Sequence, residues 1–291
     1  MKTPQVAIIG AGAVGTTFAV ALYQRGYPIV GVASRTRQSA DRCGSLVNCA
    51  LCSTDPVEVA KVANIILIST PDQVIKDVCD QIATGGGFQK GDIVIHLSGA
   101  LSSDVLASAK REEACILALH PIQTFPKGQV SSEILPGCYF SLEGEKEALE
   151  FGQKLVEELG GKAVIVPPEA KPLYHAALCT ASNYLVTVTN IAAQMLERIG
   201  IEKKEALKMI IPLIWGTVRN LDKVGLPGAL TGPVNRGDLQ TVEGHLEIIE
   251  RLLPEYLEVY KKLGSLTAEL ARQGGTLEEE DYLKLKKLLA S

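Results

Sequence analysis

The stretch that most constrains this chain is Gln5-Val6-Ala7-Ile8-Ile9-Gly10-Ala11-Gly12-Ala13-Val14-Gly15, an apolar run meeting three glycines at the spacing G-x-G-x-x-G. Val6 to Ile9 is apolar throughout and rich in β-branched residues, the pattern of a strand buried on both faces of a parallel sheet. Beyond it, Val14, Phe18 and Leu22 recur at helical spacing, so the glycines occupy a strand-to-helix turn. At such a turn Gly10 permits the tight bend, Gly12 lets backbone approach a pyrophosphate, and Gly15 lets helix and strand pack closely. Ala11, Ala13 and Val14 complete a cradle in which the helix N-terminus faces the anion. The stretch is therefore expected to bind a dinucleotide.

The next strand indicates which one. Pro28 to Ala33 reads as a second strand, followed by Ser34-Arg35-Thr36-Arg37, with Ser34 nineteen residues after Gly15. An acidic residue at that distance would bind the ribose 2′-hydroxyl of NAD. None is present. Ser34 and Thr36 offer hydroxyls and Arg35 and Arg37 planar guanidinium groups, which suit a 2′-phosphate, so NADP is the expected cofactor. The plain alternative is that both arginines are solvated loop charges.

A length of 291 residues suits two domains, and 46% hydrophobic against 21% charged residues describes a soluble protein with a large core. A net charge of −4 argues against a nucleic-acid surface. No apolar run approaches the ~18 residues of a membrane span, and Met1 to Pro4 leads straight into the first strand. The expectation is a cytoplasmic protein with no membrane partner. Among seven cysteines, Cys49-x-x-Cys52 is the one close pair, and without a second pair or a nearby histidine it gives no metal site.

Further strands are expected at Asn64–Ser69, Asp92–His96, Ala114–Leu119, Gly137–Leu142 and Lys162–Val166. Helices are expected over Arg37–Cys43, Asp55–Ala60, a segment containing Val74, Val78 and Ile82, and Lys146–Leu159. Open α/β sheets bind ligands at the carboxyl ends of their strands. Thr70-Pro71, Ser98-Gly99 and the loop containing His120, Gln123 and Thr124 should therefore rim the crevice that the glycine turn begins. After Pro167-Pro168 the strand pattern stops and five helical segments follow, at 169–199, 202–223, 238–251, 254–273 and 277–290. The prediction is an α/β domain with a mostly parallel, doubly wound sheet over 1–167, then an all-α domain over 168–291. The first helical segment would run about 45 Å at 1.5 Å per residue. Its apolar content suggests a core helix shared across a homodimer.

This architecture resembles the superfamily of 6-phosphogluconate dehydrogenase-like reductases, which includes pyrroline-5-carboxylate reductase and ketopantoate reductase. His120-Pro121-Ile122-Gln123-Thr124-Phe125, Tyr174-His175 followed by Ala181-Ser182-Asn183-Tyr184, and Leu230 to Asp238 are similar to one branch of it. Members of that branch are described as Rossmann-like proteins with a helical C-terminal domain of unknown function. The resemblance implies an NADP-dependent oxidoreductase reducing a C=O or C=N bond of a small carboxylate-bearing substrate, such as the 2-oxo acid ketopantoate. A rival reading is a regulatory protein that keeps the nucleotide site without turnover.

In the related reductases, lysine and asparagine on the long helix polarise the substrate carbonyl. Here Lys171, His175, Cys179, Ser182 and Asn183 fall near one stripe at helical spacing. His175 is the expected proton donor, helped by Asn183, with Lys171 one turn before it, and the plain alternative for His175 is a hydrogen-bonded core residue. His120 is a candidate for touching substrate or nicotinamide, and Ser98 for the same region or for a helix cap. Arg236 is a candidate clamp for a carboxylate, unless it faces water while Asp238 caps the next helix. His96 inside a strand and His245 on a surface-like helix are expected to lie outside the site.

Overall fold

The computed structural model describes residues 4–126 and 128–290, so the leader reading at Met1 to Thr3 falls outside the described residues. The chain divides into two compact units, Met1–Thr180 and Ala181–Ser291.

In the first unit, among the described residues, eight strands form one sheet: β1 Val6–Ile9, β2 Ile29–Ala33, β3 Cys52–Ser53, β4 Ile65–Ile68, β5 Ile93–His96, β6 Cys115–Pro121, β7 Tyr139–Gly144 and β8 Lys162–Ile165. Their order is β3-β2-β1-β4-β5-β6-β7-β8; all neighbours are parallel except β6 with β7. The helices are α1 Ala13–Gln24, α2 Arg37–Leu46, α3 Pro56–Ala60, α4 Asp72–Thr84, α5 Ala107–Arg111, α6 Lys146–Glu158 and α7 Lys171–Ala181. Alternation along each strand builds the two covered faces. Val6 and Ile8 pack with Phe18, Leu22 and Phe140 on one side, while Ala7 and Ile9 pack with Ile66, Ile68 and Ile75 on the other. The chain reverses its direction of travel across the sheet between β1 and β4, and at such a switch point the carboxyl ends of neighbouring strands open a crevice.

The second unit is helical: α8 Asn183–Arg198, α9 Lys203–Val224, α10 Leu239–Leu252, α11 Leu257–Gln273 and α12 Glu279–Ala290. Val242, Leu246, Ala268, Leu285 and Leu289 form one core, and Ala193, Ala206 and Ile210 form a much smaller one between α8 and α9. That small core leaves Val186, Leu213 and Trp215 at 70%, 71% and 59% exposure.

The continuous helix expected over 169–199 is corrected. The chain makes α7 and α8, interrupted at Ser182, where φ is −111° and ψ is −65°. Just before the break, the Thr180 hydroxyl donates to the Ala176 carbonyl at 2.8 Å, a bond of the kind that Thr189 also makes inside the uninterrupted α8.

Candidate active site

The sheet register builds the site. Ile9, Ile68, His96, Ala118 and Glu143 are successive partners across β1, β4, β5, β6 and β7, forming one row near the carboxyl edge. The loops leaving that row carry the glycine turn, Thr70, Ser98 and Gly99. Strand β6 continues three residues past Ala118, to Pro121, and places His120 opposite Ser141 of β7.

Each glycine of the turn has its own steric reason. Gly10 has φ +111°, and a β-carbon there would lie 2.8 Å from the Ser69 carbonyl. At Gly15 a β-carbon would lie 2.0 Å from the Gly10 oxygen and 2.2 Å from Ser69 Oγ, the hydroxyl that donates to Gly10 at 2.7 Å. Gly12 differs: a β-carbon there would meet nothing within 4 Å, and Gly12 starts α1 without a side-chain cap. The open space thus lies where the first N–H groups of α1 are uncapped, which fits a pyrophosphate. Beside this cradle Thr70 Oγ1 is buried with no hydrogen-bond partner, and Pro71 leads into α4.

Gly10 N–H donates to the Ala33 carbonyl at 2.8 Å, so the segment after β2 sits against the same turn. Its four candidate residues are not equivalent. Thr36 is the N-cap of α2, accepting from Ser39 N–H and donating to Ser39 Oγ at 2.8 Å, and Arg37 pairs with Asp41 at 2.7 Å. Ser34 donates its backbone N–H to Ser53. Arg35 is exposed and makes no hydrogen bond or ion pair among the described residues, so its guanidinium is the one uncommitted to protein.

Ser98 is committed to the protein. Its hydroxyl donates to Asp72 Oδ2 at 2.7 Å and accepts from Ala100 and Leu101 N–H at 3.2 Å, which closes its own loop, while the helical turn that follows has Ser102 at its N-cap. His96 supports that loop from below. Its Nδ1 accepts from Ser98 N–H at 3.1 Å and its Nε2 faces the Ser102 carbonyl at 3.1 Å, as in a neutral ring protonated on Nε2. Burial, with the Lys171 ammonium adding to it, pushes this imidazole down to about 3.

His120 is the centre of a second group. Its Nδ1 lies 2.7 Å from the Tyr174 hydroxyl, the two rings meeting edge to face at 5.8 Å, and the His175 ring lies 6.4 Å away. Burial pushes the imidazole down to about 4, with His175 and Lys171 acting in the same direction and Asp72 against them. At neutral pH His120 is uncharged. Burial also raises the Tyr174 phenol. His175 is half-buried, and its ring nitrogens reach the Cys179 sulfur at 3.9 and 4.0 Å, a weak contact.

Lys171, Tyr174 and His175 occupy positions i, i+3 and i+4 of α7, one face of that helix. Lys171 is 1% exposed, its ammonium 3.9 Å from Glu143 Oε2 and without a hydrogen bond. Burial lowers its pKa, and Glu143 opposes that. Glu143 in turn accepts from Ser103 N–H at 2.7 Å and Ser103 Oγ at 2.6 Å. Sequence reasoning missed Glu143, and it named Tyr174 in a motif without giving it a role. A carboxylate inside an apolar strand was a visible signal for the first; the second has its partner 54 residues away, which local pattern does not reveal.

The remaining candidates are scattered. Gln123 bonds within its own loop, accepting from Thr124 N–H at 2.8 Å and donating to Cys138 Sγ at 3.3 Å, and Thr124 is exposed. In the second unit Asn183 is an exposed residue at the start of α8, and Arg236 is exposed in a single helical turn. Asp238 caps α10, accepting from Thr241 N–H at 3.1 Å. His245 on α10 is half-buried, with Nδ1 2.7 Å from the Tyr260 hydroxyl.

Comparison with known proteins agrees with this architecture. The Rossmann-like domain family matches residues 2–121, and the domain of unknown function DUF2520 matches residues 138–267. No curated protein matches the chain. A Bacteroides fragilis structure provisionally described as an NADP oxidoreductase is 24% identical, covers 91% of this chain and 98% of its own, and superposes with a TM-score of 0.75. A Thermotoga maritima protein described without a function is 25% identical over 92% of this chain and 99% of its own, with a TM-score of 0.72. Pyrroline carboxylate reductase of Plasmodium falciparum, solved with NADP bound, is 13% identical over 100% of both chains, with a TM-score of 0.57. The chain thus carries a match to the Rossmann-like domain family followed by a match to the domain of unknown function DUF2520.

Proposed function

We propose that this protein is an NADP-dependent oxidoreductase that reduces a C=O or C=N bond of a small, carboxylate-bearing substrate. The observation that carries the reading is a placement within one unit. The uncharged imidazole of His120 shares a sheet edge with the open space at Gly12, and its Nε2 makes no hydrogen bond among the described residues. NADPH, when bound, supplies the hydride. Gly10, Gly12 and Gly15 shape the cradle for its pyrophosphate, α1 aims uncapped N–H groups at it, Thr70 offers a hydroxyl, and Arg35 meets the 2′-phosphate. Charge developing on the reduced oxygen or nitrogen is met by imidazole N–H groups, from His120 and from the half-buried His175. The B. fragilis and P. falciparum structures, one described as an NADP oxidoreductase and the other holding NADP, support the cofactor assignment.

A second reading, a nucleotide-binding regulator without turnover, draws on two specific observations. Lys171 is buried against Glu143, and the Ser98 hydroxyl is consumed by Asp72 and two backbone N–H groups. NADPH oxidation with a panel of 2-oxo acids and cyclic imines, ketopantoate included, separates the two. Turnover with any member supports the reductase. Tight NADPH binding with no turnover across the panel supports the regulator.

A further inference from the structure

Both imidazoles of the candidate site carry an N–H, but the structure orients them differently. His175 touches a thiol at 3.9 Å or more through either ring nitrogen, so that contact selects neither nitrogen as the protonated one. His120 has a short, directed partner in the Tyr174 hydroxyl at 2.7 Å, with the phenol ring set edge-on at 90°. A neutral phenol next to a neutral imidazole has two arrangements: Tyr174 donates to an unprotonated Nδ1, or it accepts from a protonated one. The groups facing His120 set its charge, and the hydrogen bond to Tyr174 sets its tautomer. His175 and Lys171 on α7 disfavour a positive ring and Asp72 at the start of α4 favours one, so the ring is neutral, and burial raises the Tyr174 phenol against the opposing Ser141 hydroxyl, so the phenol is neutral as well. A phenol that keeps its proton in a buried place gives it to the nearest acceptor, since an unmade bond there costs about 1–3 kcal/mol. Nδ1, at 2.7 Å, is the acceptor within hydrogen-bond distance of that hydroxyl among the described residues.

We propose that Tyr174 is the positioning residue of this site. By donating to Nδ1 it fixes His120 as the Nε2–H tautomer and turns that N–H, rather than a lone pair, toward the substrate. Gly99 completes the arrangement, its missing β-carbon leaving room for the ring, since an added one would stand 2.7 Å from Cε1 and 2.8 Å from Nε2. The consequence is that His120 acts as an oriented hydrogen-bond donor to the developing anion, not as an imidazolium acid. The inference rests on the reductase reading for its catalytic consequence, and on geometry alone for the tautomer.

The test uses the full chain and Tyr174→Phe, which keeps the ring and removes the hydroxyl. Long-range 15N–1H NMR of the four histidines, with the His120 signals assigned through His120→Asn, reads the tautomer without any substrate. In the unsubstituted protein His120 should be protonated on Nε2 and not on Nδ1; in Tyr174→Phe the two forms should mix. With a substrate identified from the panel, kcat should fall about 10- to 100-fold in the variant while NADPH affinity stays within about twofold, as expected when a reacting group is misaimed. An Nδ1–H signal for His120 in the unsubstituted protein overturns the proposal, and so does an unchanged kcat in a folded Tyr174→Phe. A panel with no turnover at all fails the reductase reading while the NMR result still decides the tautomer. A melting temperature of Tyr174→Phe within a few degrees of the parent keeps misfolding out of the comparison.

Discussion

The imidazole of His120 packs so tightly on Gly99 that a β-carbon at residue 99 would stand 2.7 to 3.0 Å from three of its ring atoms. Gly99 belongs to the β5 loop and His120 to the end of β6, so this contact joins two loops of the same sheet edge. Alanine at 99 forces the ring to move, because the added atom meets it below ordinary van der Waals distance. We expect Gly99→Ala to fold, with a melting temperature within several degrees of the parent, and to lose about tenfold or more in kcat. Circular dichroism and steady-state kinetics on one preparation check both halves.

The uncommitted guanidinium of Arg35 and the paired one of Arg37 predict unequal roles toward the 2′-phosphate. A charge-assisted hydrogen bond contributes about 1.5–3 kcal/mol, so Arg35→Ala should weaken NADPH about 10- to 100-fold. NADH should change little. Arg37→Ala should cost NADPH less, because Asp41 already holds that side chain. Calorimetric titration with both nucleotides checks the order, and equal losses for NADPH and NADH in Arg35→Ala would remove the phosphate assignment.

His96 and His120 are neutral in the folded chain, pushed down by burial to about 3 and about 4, while an unfolded histidine titrates near 6.5. Between those values the unfolded chain binds protons that the folded chain does not, so stability is full above about pH 6.5 and falls as the pH drops toward 4. The loss should be of the order of 1–3 kcal/mol per histidine. Urea unfolding at a series of pH values should show this slope, and His120→Asn should flatten it. A stability curve level from pH 7 to pH 5 would contradict the neutral assignment.

In the second unit, α8 and α9 bury Ala193, Ala206 and Ile210 between them and leave Val186, Leu213 and Trp215 largely exposed. Apolar faces of this extent mark association surfaces, and a second copy of the chain is the proposed occupant. Light scattering at micromolar concentration should give twice the chain mass, and Leu213→Glu should shift the population to monomer. A monomeric parent protein would contradict the homodimer.

How much of this was legible in the sequence depends on how local each feature is. Seven of the eight strands follow from apolar runs, whereas β3, two residues long, carries too short a pattern to be seen. The turn at Gly10 to Gly15 is legible because Gly10 and Gly15 answer contacts within their own β-α unit or with the segment just after β4, while Gly12 leaves open space at the start of α1. The break at Ser182 is hidden, since the flanking alanines and leucines favour helix and no glycine or proline marks the interruption. Site roles fare worse than site location. Ser98 is spoken for by Asp72, 26 residues earlier, and Lys171 by Glu143, both tertiary facts that no spacing rule contains. His175, the donor expected from its place on the helix, has a weakly held ring, and the oriented imidazole is that of His120.

The central claim is hydride transfer from a bound nicotinamide, and transfer of an isotopic label measures it most directly. NADPH deuterated at the reactive ring carbon is incubated with the protein and the panel of 2-oxo acids and cyclic imines, and products are read by mass spectrometry. The account predicts one deuterium on the former carbonyl or imine carbon, with the yield falling in His120→Asn. Tight NADPH binding with no deuterium in any product would contradict it.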